Sequence, residues 1–136
     1  MEYLLDTNTL LRALFNDEKI SDKTRNIIAN EKNQIFVSIV SIWEIELKHN
    51  KHPDLMPYNA KDIINALVYT DYIVLPVRYE YLIELKQVID LNIHKDPFDH
   101  LLIATALEES MTLITSDETV LKYPIISTLK LWSLTA

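Results

Sequence analysis

The 136-residue sequence contains no glycine and no cysteine. Without cysteine there is no disulfide framework, no thiolate zinc site and no cysteine nucleophile, so any metal must be held by oxygen or imidazole. Without glycine there is no Gly-rich phosphate loop, which removes the P-loop and the dinucleotide fingerprint. The left-handed turns that glycine usually serves must then fall to Asn, Asp or Ser. Long apolar stretches are missing too. Runs such as residues 101–107 and 72–75 fall short of the roughly 18 residues of a membrane span, and Met1-Glu2-Tyr3 lacks a basic leader, so a cytoplasmic location is expected. Positive charge is scarce: 13 Lys and Arg stand against 20 Asp and Glu, for a net charge of −7. That argues against broad attraction to nucleic-acid phosphate. An RNA substrate would need a local basic rim, a metal or a partner to offset it.

What is present is the balance of an ordinary globular chain, 49% hydrophobic and 24% charged, expected to fold as one domain over residues 1–136 with one site. The apolar run Glu2 to Leu5 ends at Asp6, and Leu10, Leu11 and Leu14 then recur at helical spacing, which predicts a strand, a junction and a helix. Ser21 is the expected cap of a helix carrying Ile27 and Ile28, and Gln34 to Ser38 has the composition of a buried strand. Ser38 or Ser41 opens a helix through Trp43 to Lys48. The two prolines between His52 and Pro57 mark a loop. A helix with Ile63, Ile64 and Leu67 follows, then a strand over residues 72–75 stopped by Pro76. Tyr81, Leu82, Leu85, Val88 and Ile89 form one stripe of an amphipathic helix. Residues 96–110 form an apolar helix, 111–115 a strand, and 129–134 a last strand. Strands alternating with helices predict an α/β fold, a three-layer α/β/α domain around a mostly parallel sheet.

In such a sheet the functional crevice lies beyond the carboxyl ends of the strands, where Asp6 and Asp117 are expected. Glu44 borders the apolar face of its helix, a position in which a carboxylate usually has a partner or a metal. Asp96 and Asp99 share the first turn of the most apolar helix, near the positive end of its dipole. Helix capping alone accounts for Asp6, Asp96 and Asp117, with Pro97 at the favoured first helical position. A mid-helix Glu44 is most simply paired with Lys48 at i+4. Collected together, however, these carboxylates would repel unless a hard cation such as Mg²⁺ or Mn²⁺ neutralised them, and such a site suits phosphodiester hydrolysis. A Ca²⁺ loop is excluded by the lack of a DxDxDG motif.

Other groups carry less. His49, His52, His94 and His100 show no zinc-site spacing and are expected at the surface or around the site. Trp43 and the tyrosines at 69, 72, 79 and 81 are expected in the core rather than stacked on bases. Arg12, Lys48 and Lys95 lie near the acids in sequence and are candidate phosphate contacts.

Four blocks taken together resemble the PIN-domain family, and within it the VapC-type toxins of bacterial toxin–antitoxin pairs. YLLDTNTLL (Tyr3 to Leu11) is similar to the family's opening strand with its acid, here Asp6, followed by Thr7 and Asn8. VSIVSIWEIELK (Val37 to Lys48) resembles the helix that carries the family's glutamate, here Glu44. HKDPFDHLLIATAL (His94 to Leu107) resembles the subgroup with a DPFDRLLIA-like signature, which puts the third acid at Asp99 and makes Asp96 an accessory. LITSDET (Leu113 to Thr119) matches the strand that delivers the fourth acid, Asp117, beside Thr115 and Ser116. His100 stands where the subgroup carries arginine, and Glu109-Ser110 replaces a common glycine.

The resemblance implies an endoribonuclease using Mg²⁺ or Mn²⁺, dimeric and inhibited by a cognate antitoxin. Asp6, Glu44, Asp99 and Asp117 would be its catalytic and metal-binding acids, supported by Asp96, Thr7 and Ser116. The alternatives are a PIN-type nuclease of RNA maturation and a non-catalytic PIN-like module that binds protein or RNA.

Overall fold

The computed structural model describes residues 1–124. The strand expected at 129–134 lies outside them. Four strands, β1 (Glu2–Leu5), β2 (Gln34–Ser38), β3 (Ile73–Leu75) and β4 (Thr112–Ile114), form one sheet in the order β3-β2-β1-β4. All three pairings are parallel. Six α-helices join them: α1 (Thr7–Phe15), α2 (Asp22–Ala29), α3 (Ile39–Lys51), α4 (Ala60–Leu67), α5 (Tyr79–Asp90) and α6 (Pro97–Glu109).

The strands alternate between two cores because successive side chains leave a strand on opposite faces. Leu4 of β1 is aligned with Phe36 of β2 and Leu113 of β4. These three pack with Val88 of α5 and Ile103 and Ala104 of α6. Tyr3 and Leu5 point the other way, into a core with Ile35, Val37 and Ile114 that Leu10, Ile42, Ile45 and Ile63 close from α1, α3 and α4. Helices thus cover both faces, giving the three layers expected from the sequence. In α6 the five consecutive residues 102–106 are all buried, which explains why its sequence shows no polar stripe.

The helix starts follow local chemistry. Ser21 and Ser38 cap α2 and α3 through their hydroxyls, so Ser38, not Ser41, opens α3. Asn59 and Asp62 form a reciprocal capping box on α4. The glycine-free turns fall to Asn92 and Ser110, the two described residues with positive φ, at 53° and 55°. Ser110 ends α6 in the left-handed conformation, where a glycine would carry no Cβ penalty.

The aromatic expectation holds in part. Tyr81 is buried, whereas Trp43 is 56% exposed and Tyr69 and Tyr79 are almost fully exposed. Trp43 rests edge-on against Phe98, centroids 4.8 Å apart, so its indole lies on the surface of the α3–α6 junction instead of in a core. Helical spacing placed it correctly on α3 but could not tell which face another element would cover.

Left-handed serine is strained by roughly 1 kcal/mol. Replacing Ser110 with glycine should therefore raise the urea midpoint of unfolding, by about 1 kcal/mol of stability, while Ser110→Val should lower it. Equal stabilities for the glycine and valine variants would contradict this account of the turn.

Candidate active site

The chain runs from β1 outward to β2 and β3, then returns to place β4 on the other side of β1. That reversal makes a crevice beyond the carboxyl ends of β1 and β4, the position at which open parallel sheets bind ligands. A cavity of about 150 Å³ opens there, lined by Asp6, Glu44, Asp96, Asp99 and Asp117 together with Thr7, Asn8, Leu11, Lys48 and Met56. A larger hollow of about 730 Å³ involves residues 28–35 and 69–73, toward the opposite ends of β2 and β3. Its size is not matched by any comparable gathering of acids.

Asp6 follows β1 directly and caps α1. Its Oδ1 accepts from the Thr9 amide at 2.8 Å and lies 2.5 Å from the Thr9 hydroxyl. That hydroxyl is also 2.8 Å from the Ile114 carbonyl, so its one proton is shared between strand β4 and the acid. The Asp6 amide donates to the same carbonyl at 3.2 Å. Burial pushes the Asp6 carboxyl above its ordinary range; hydrogen bonds from Thr115 and Thr9 oppose this, and the charge of Glu44 adds to it.

Glu44 is 4% exposed in the middle of α3, and both its oxygens have partners. Thr7 Oγ1 donates to Oε1 at 2.6 Å, and Lys48 Nζ lies 2.6 Å from Oε2. The i+4 pairing expected from the sequence is present, with Glu44 buried and the Lys48 side chain 55% exposed at the crevice. Thr7 Oγ1 also lies 3.1 Å from Ser41 Oγ. Burial works to lower the Lys48 pKa, yet its hydrogen bond and charge interaction with Glu44, with Asp96 and Asp99 beyond, raise it overall.

Asp96 caps α6 ahead of Pro97, accepting from the Phe98 and Asp99 amides at 2.8 and 3.3 Å. Asp99, three positions further on in the first turn, turns its Oδ2 to His94 Nε2 at 2.7 Å. Burial pushes the Asp99 carboxyl up to about 6; the His94 bond opposes the shift, and the nearby charges of Asp96, Glu44 and Asp6 add to it. Asp117 caps the turn after β4 through Oδ1, which accepts from the Thr119 amide at 2.8 Å and the Val120 amide at 3.4 Å. Its Oδ2 lies 3.9 Å from His94 Nε2.

The structure therefore brings Asp6, Thr7, Glu44, Asp96, Asp99 and Asp117 to one cavity, from the end of β1, the middle of α3, the start of α6 and the turn after β4. Ser116 is half-buried beside Asp117 but is not among the cavity-lining residues. Of Arg12, Lys48 and Lys95, only Lys48 lines it. Thr9 was not singled out by sequence reasoning, although it was detectable as the N3 partner of an Asp cap. Thr115, named there only as a neighbour of Asp117, accepts from the Asp117 amide. His94 and His100, expected at the surface or around the site, lie at it.

An all-oxygen set fits a hard divalent cation better than a soft one. Among the described residues, His94, Asp99 and Asp117 offer three donor atoms within 4.8 Å of one another. The caps on Asp6, Asp96 and Asp117 are all made through Oδ1. A carboxylate has about four lone-pair directions, so capping and metal binding do not compete.

A parallel α/β/α domain with an acid cluster at its topological switch point defines the class of protein. The sequence matches the PIN domain family over residues 3–125, and the chain belongs to that family. No curated protein matches it. Solved structures with a similar fold include a chain of VapBC2 from Rickettsia felis bound to a DNA fragment from their promoter. That chain is 15% identical with a TM-score of 0.68, the match covering 93% of this chain and 96% of that one. A chain of DNA-bound VapBC from Salmonella typhimurium is 17% identical with a TM-score of 0.67, covering 93% and 95%. One of FitAcB from Neisseria gonorrhoeae is 19% identical with a TM-score of 0.57, covering 87% and 89%.

The raised Asp99 carboxyl has a sign that can be tested. Its folded value, about 6, exceeds its ordinary 3.8, so protonation favours the folded state. That stabilisation is complete below the ordinary value and disappears as pH rises through about 6. In chelator-treated protein, Asp99→Asn mimics the protonated form. Its urea stability relative to wild type should be about 2 kcal/mol more favourable near pH 7 than near pH 4. A pH-independent difference would contradict the buried, raised carboxyl described here.

Proposed function

We propose that this chain is a metal-dependent endoribonuclease acting as the toxin of a toxin–antitoxin pair. The observation that carries the reading is the gathering of five carboxylates in one crevice, at a mutual cost in repulsion that no structural role requires. Folding needs only the caps, and Glu44 caps nothing. A divalent cation held among Asp6, Glu44, Asp99 and Asp117 would supply charge to a phosphodiester and acidify water near neutral pH. Mg²⁺ and Mn²⁺ both suit these ligands.

The chain's own residues prepare the site. Thr7 and Thr9 hold Glu44 and Asp6 by their hydroxyls, which fixes the carboxylates before any ligand arrives. Lys48 neutralises Glu44 at the mouth of the crevice; its Nζ is the positive group there that meets an incoming phosphate, offsetting locally the net charge of −7. Burial raises the Asp99 carboxyl to about 6, so in mildly acidic solution it carries a proton that a bound cation would displace.

The toxin reading is supported by the kind of assembly in which the similar folds were solved: VapBC complexes and a toxin-antitoxin complex from Klebsiella pneumoniae. An antitoxin partner and a homodimer are both part of the proposal, and exposed apolar side chains such as Ile39, Trp43, Leu82 and Ile83 offer surface for them. Among the described residues no helix is long and apolar enough to cross a membrane.

Asp6→Asn is the decisive variant, because asparagine caps a helix as well as aspartate does while removing one charge from the site. It should fold with unchanged circular dichroism and lose at least about a hundredfold in Mg²⁺- or Mn²⁺-dependent RNA cleavage. Cleavage at the wild-type rate would sink the assignment. Expression of the wild-type chain alone should arrest bacterial growth, with the Asp6→Asn chain tolerated. Harmless expression of an active nuclease would instead point to RNA maturation.

A further inference from the structure

We propose that His94 is a metal ligand, sharing a divalent cation with Asp99 and Asp117, and that its nitrogen makes this site take Mn²⁺ in preference to Mg²⁺. The inference rests on the nuclease reading above and adds to its all-carboxylate ligand set.

The geometry is that of donors to one ion. In an octahedral sphere around a small divalent cation, neighbouring ligand atoms are about 3 Å apart and opposite ones about 4 Å. His94 Nε2 lies 2.7 Å from Asp99 Oδ2 and 3.9 Å from Asp117 Oδ2, and one donor atom from each residue falls within 4.8 Å of the others. His94 is absent from the wall of the crevice that holds Asp6, Glu44 and Lys48.

His94 is also held in place more firmly than a loop residue between α5 and α6 would need to be. Its amide donates to the Tyr123 hydroxyl at 3.1 Å, and its carbonyl accepts from His100 Nε2 at 2.5 Å. With both backbone groups anchored, the ring stays aimed at the two acids, its side chain 21% exposed. His100 thus acts as a positioning residue for His94. His94 Nε2 and Asp99 Oδ2 are hydrogen-bonded at 2.7 Å. Ligation displaces the proton between them to Nδ1 or to solvent and presents the Nε2 lone pair. Imidazole suits transition metals, whereas Mg²⁺ favours oxygen, so the nitrogen biases the choice of ion.

The test uses the full chain with Mn²⁺ as the probe. Pulsed electron paramagnetic resonance of the bound ion should show histidine nitrogen coupling, altered when the protein is labelled with ¹⁵N-histidine. His94→Gln keeps an N–H donor for Asp99 but has no ring nitrogen. It should abolish the coupling and weaken Mn²⁺ binding at least about tenfold, with Mg²⁺ affinity changing by less than about threefold. Should that variant fail to fold, the labelled wild type gives the same readout, and the coupling must survive His49→Gln and His52→Gln. Bound Mn²⁺ without nitrogen coupling, or equal losses for the two ions, would overturn the proposal and leave the nuclease reading standing. No Mn²⁺ binding at all would overturn both.

Discussion

Repulsion among five carboxylates gathered at the carboxyl ends of β1 and β4 is the constraint around which this end of the molecule is organised. At contact distances like charges interact by several kcal/mol where water is partly excluded, more than a small domain can spare. The site meets it in several ways at once. Lys48 balances Glu44, threonine hydroxyls donate to Glu44 and Asp6, and helix amino termini carry Asp6, Asp96 and Asp99 where partial positive charge is available. Burial, with a smaller contribution from the neighbouring acids, still leaves the Asp6 and Asp99 carboxyls raised.

The same residues stabilise the fold and prepare the site. Asp6 caps α1 while its amide joins β1 to β4 through Ile114, so the acid cannot move without disturbing the junction. Asp117 closes the turn after β4 in the same manner. Because these caps use one carboxylate oxygen each, helix stability and ligand binding draw on different atoms. The absence of glycine then matters less than it first suggests: Asn92 and Ser110 supply the left-handed turns after α5 and α6.

Much of this was legible residue by residue. The strand and helix order came from apolar spacing, the caps from Ser21, Ser38, Asp6 and Asp96, and the acids from four blocks of family-like sequence. The side-chain surroundings were not. Glu44 is buried with two partners in a helix whose pattern also suited a solvated ion pair, and Trp43 sits at the surface although its spacing suited a core. Both depend on what α1 and α6 bring against α3, and a period of 3.6 residues describes one helix, not its neighbours.

Sequence by itself determined the α/β class, the absence of thiolate and glycine-loop chemistry, and the identity of the acids, because residue type and local spacing fix propensity, capping and donor chemistry. Only the tertiary structure decided that Asp6, Glu44, Asp99 and Asp117 share one crevice. Only it decided that His94 faces two of them while its backbone is held by Tyr123 and His100. These residues are separated by long stretches of chain, and the parallel sheet order β3-β2-β1-β4 is what brings the junctions that carry Asp6 and Asp117 side by side.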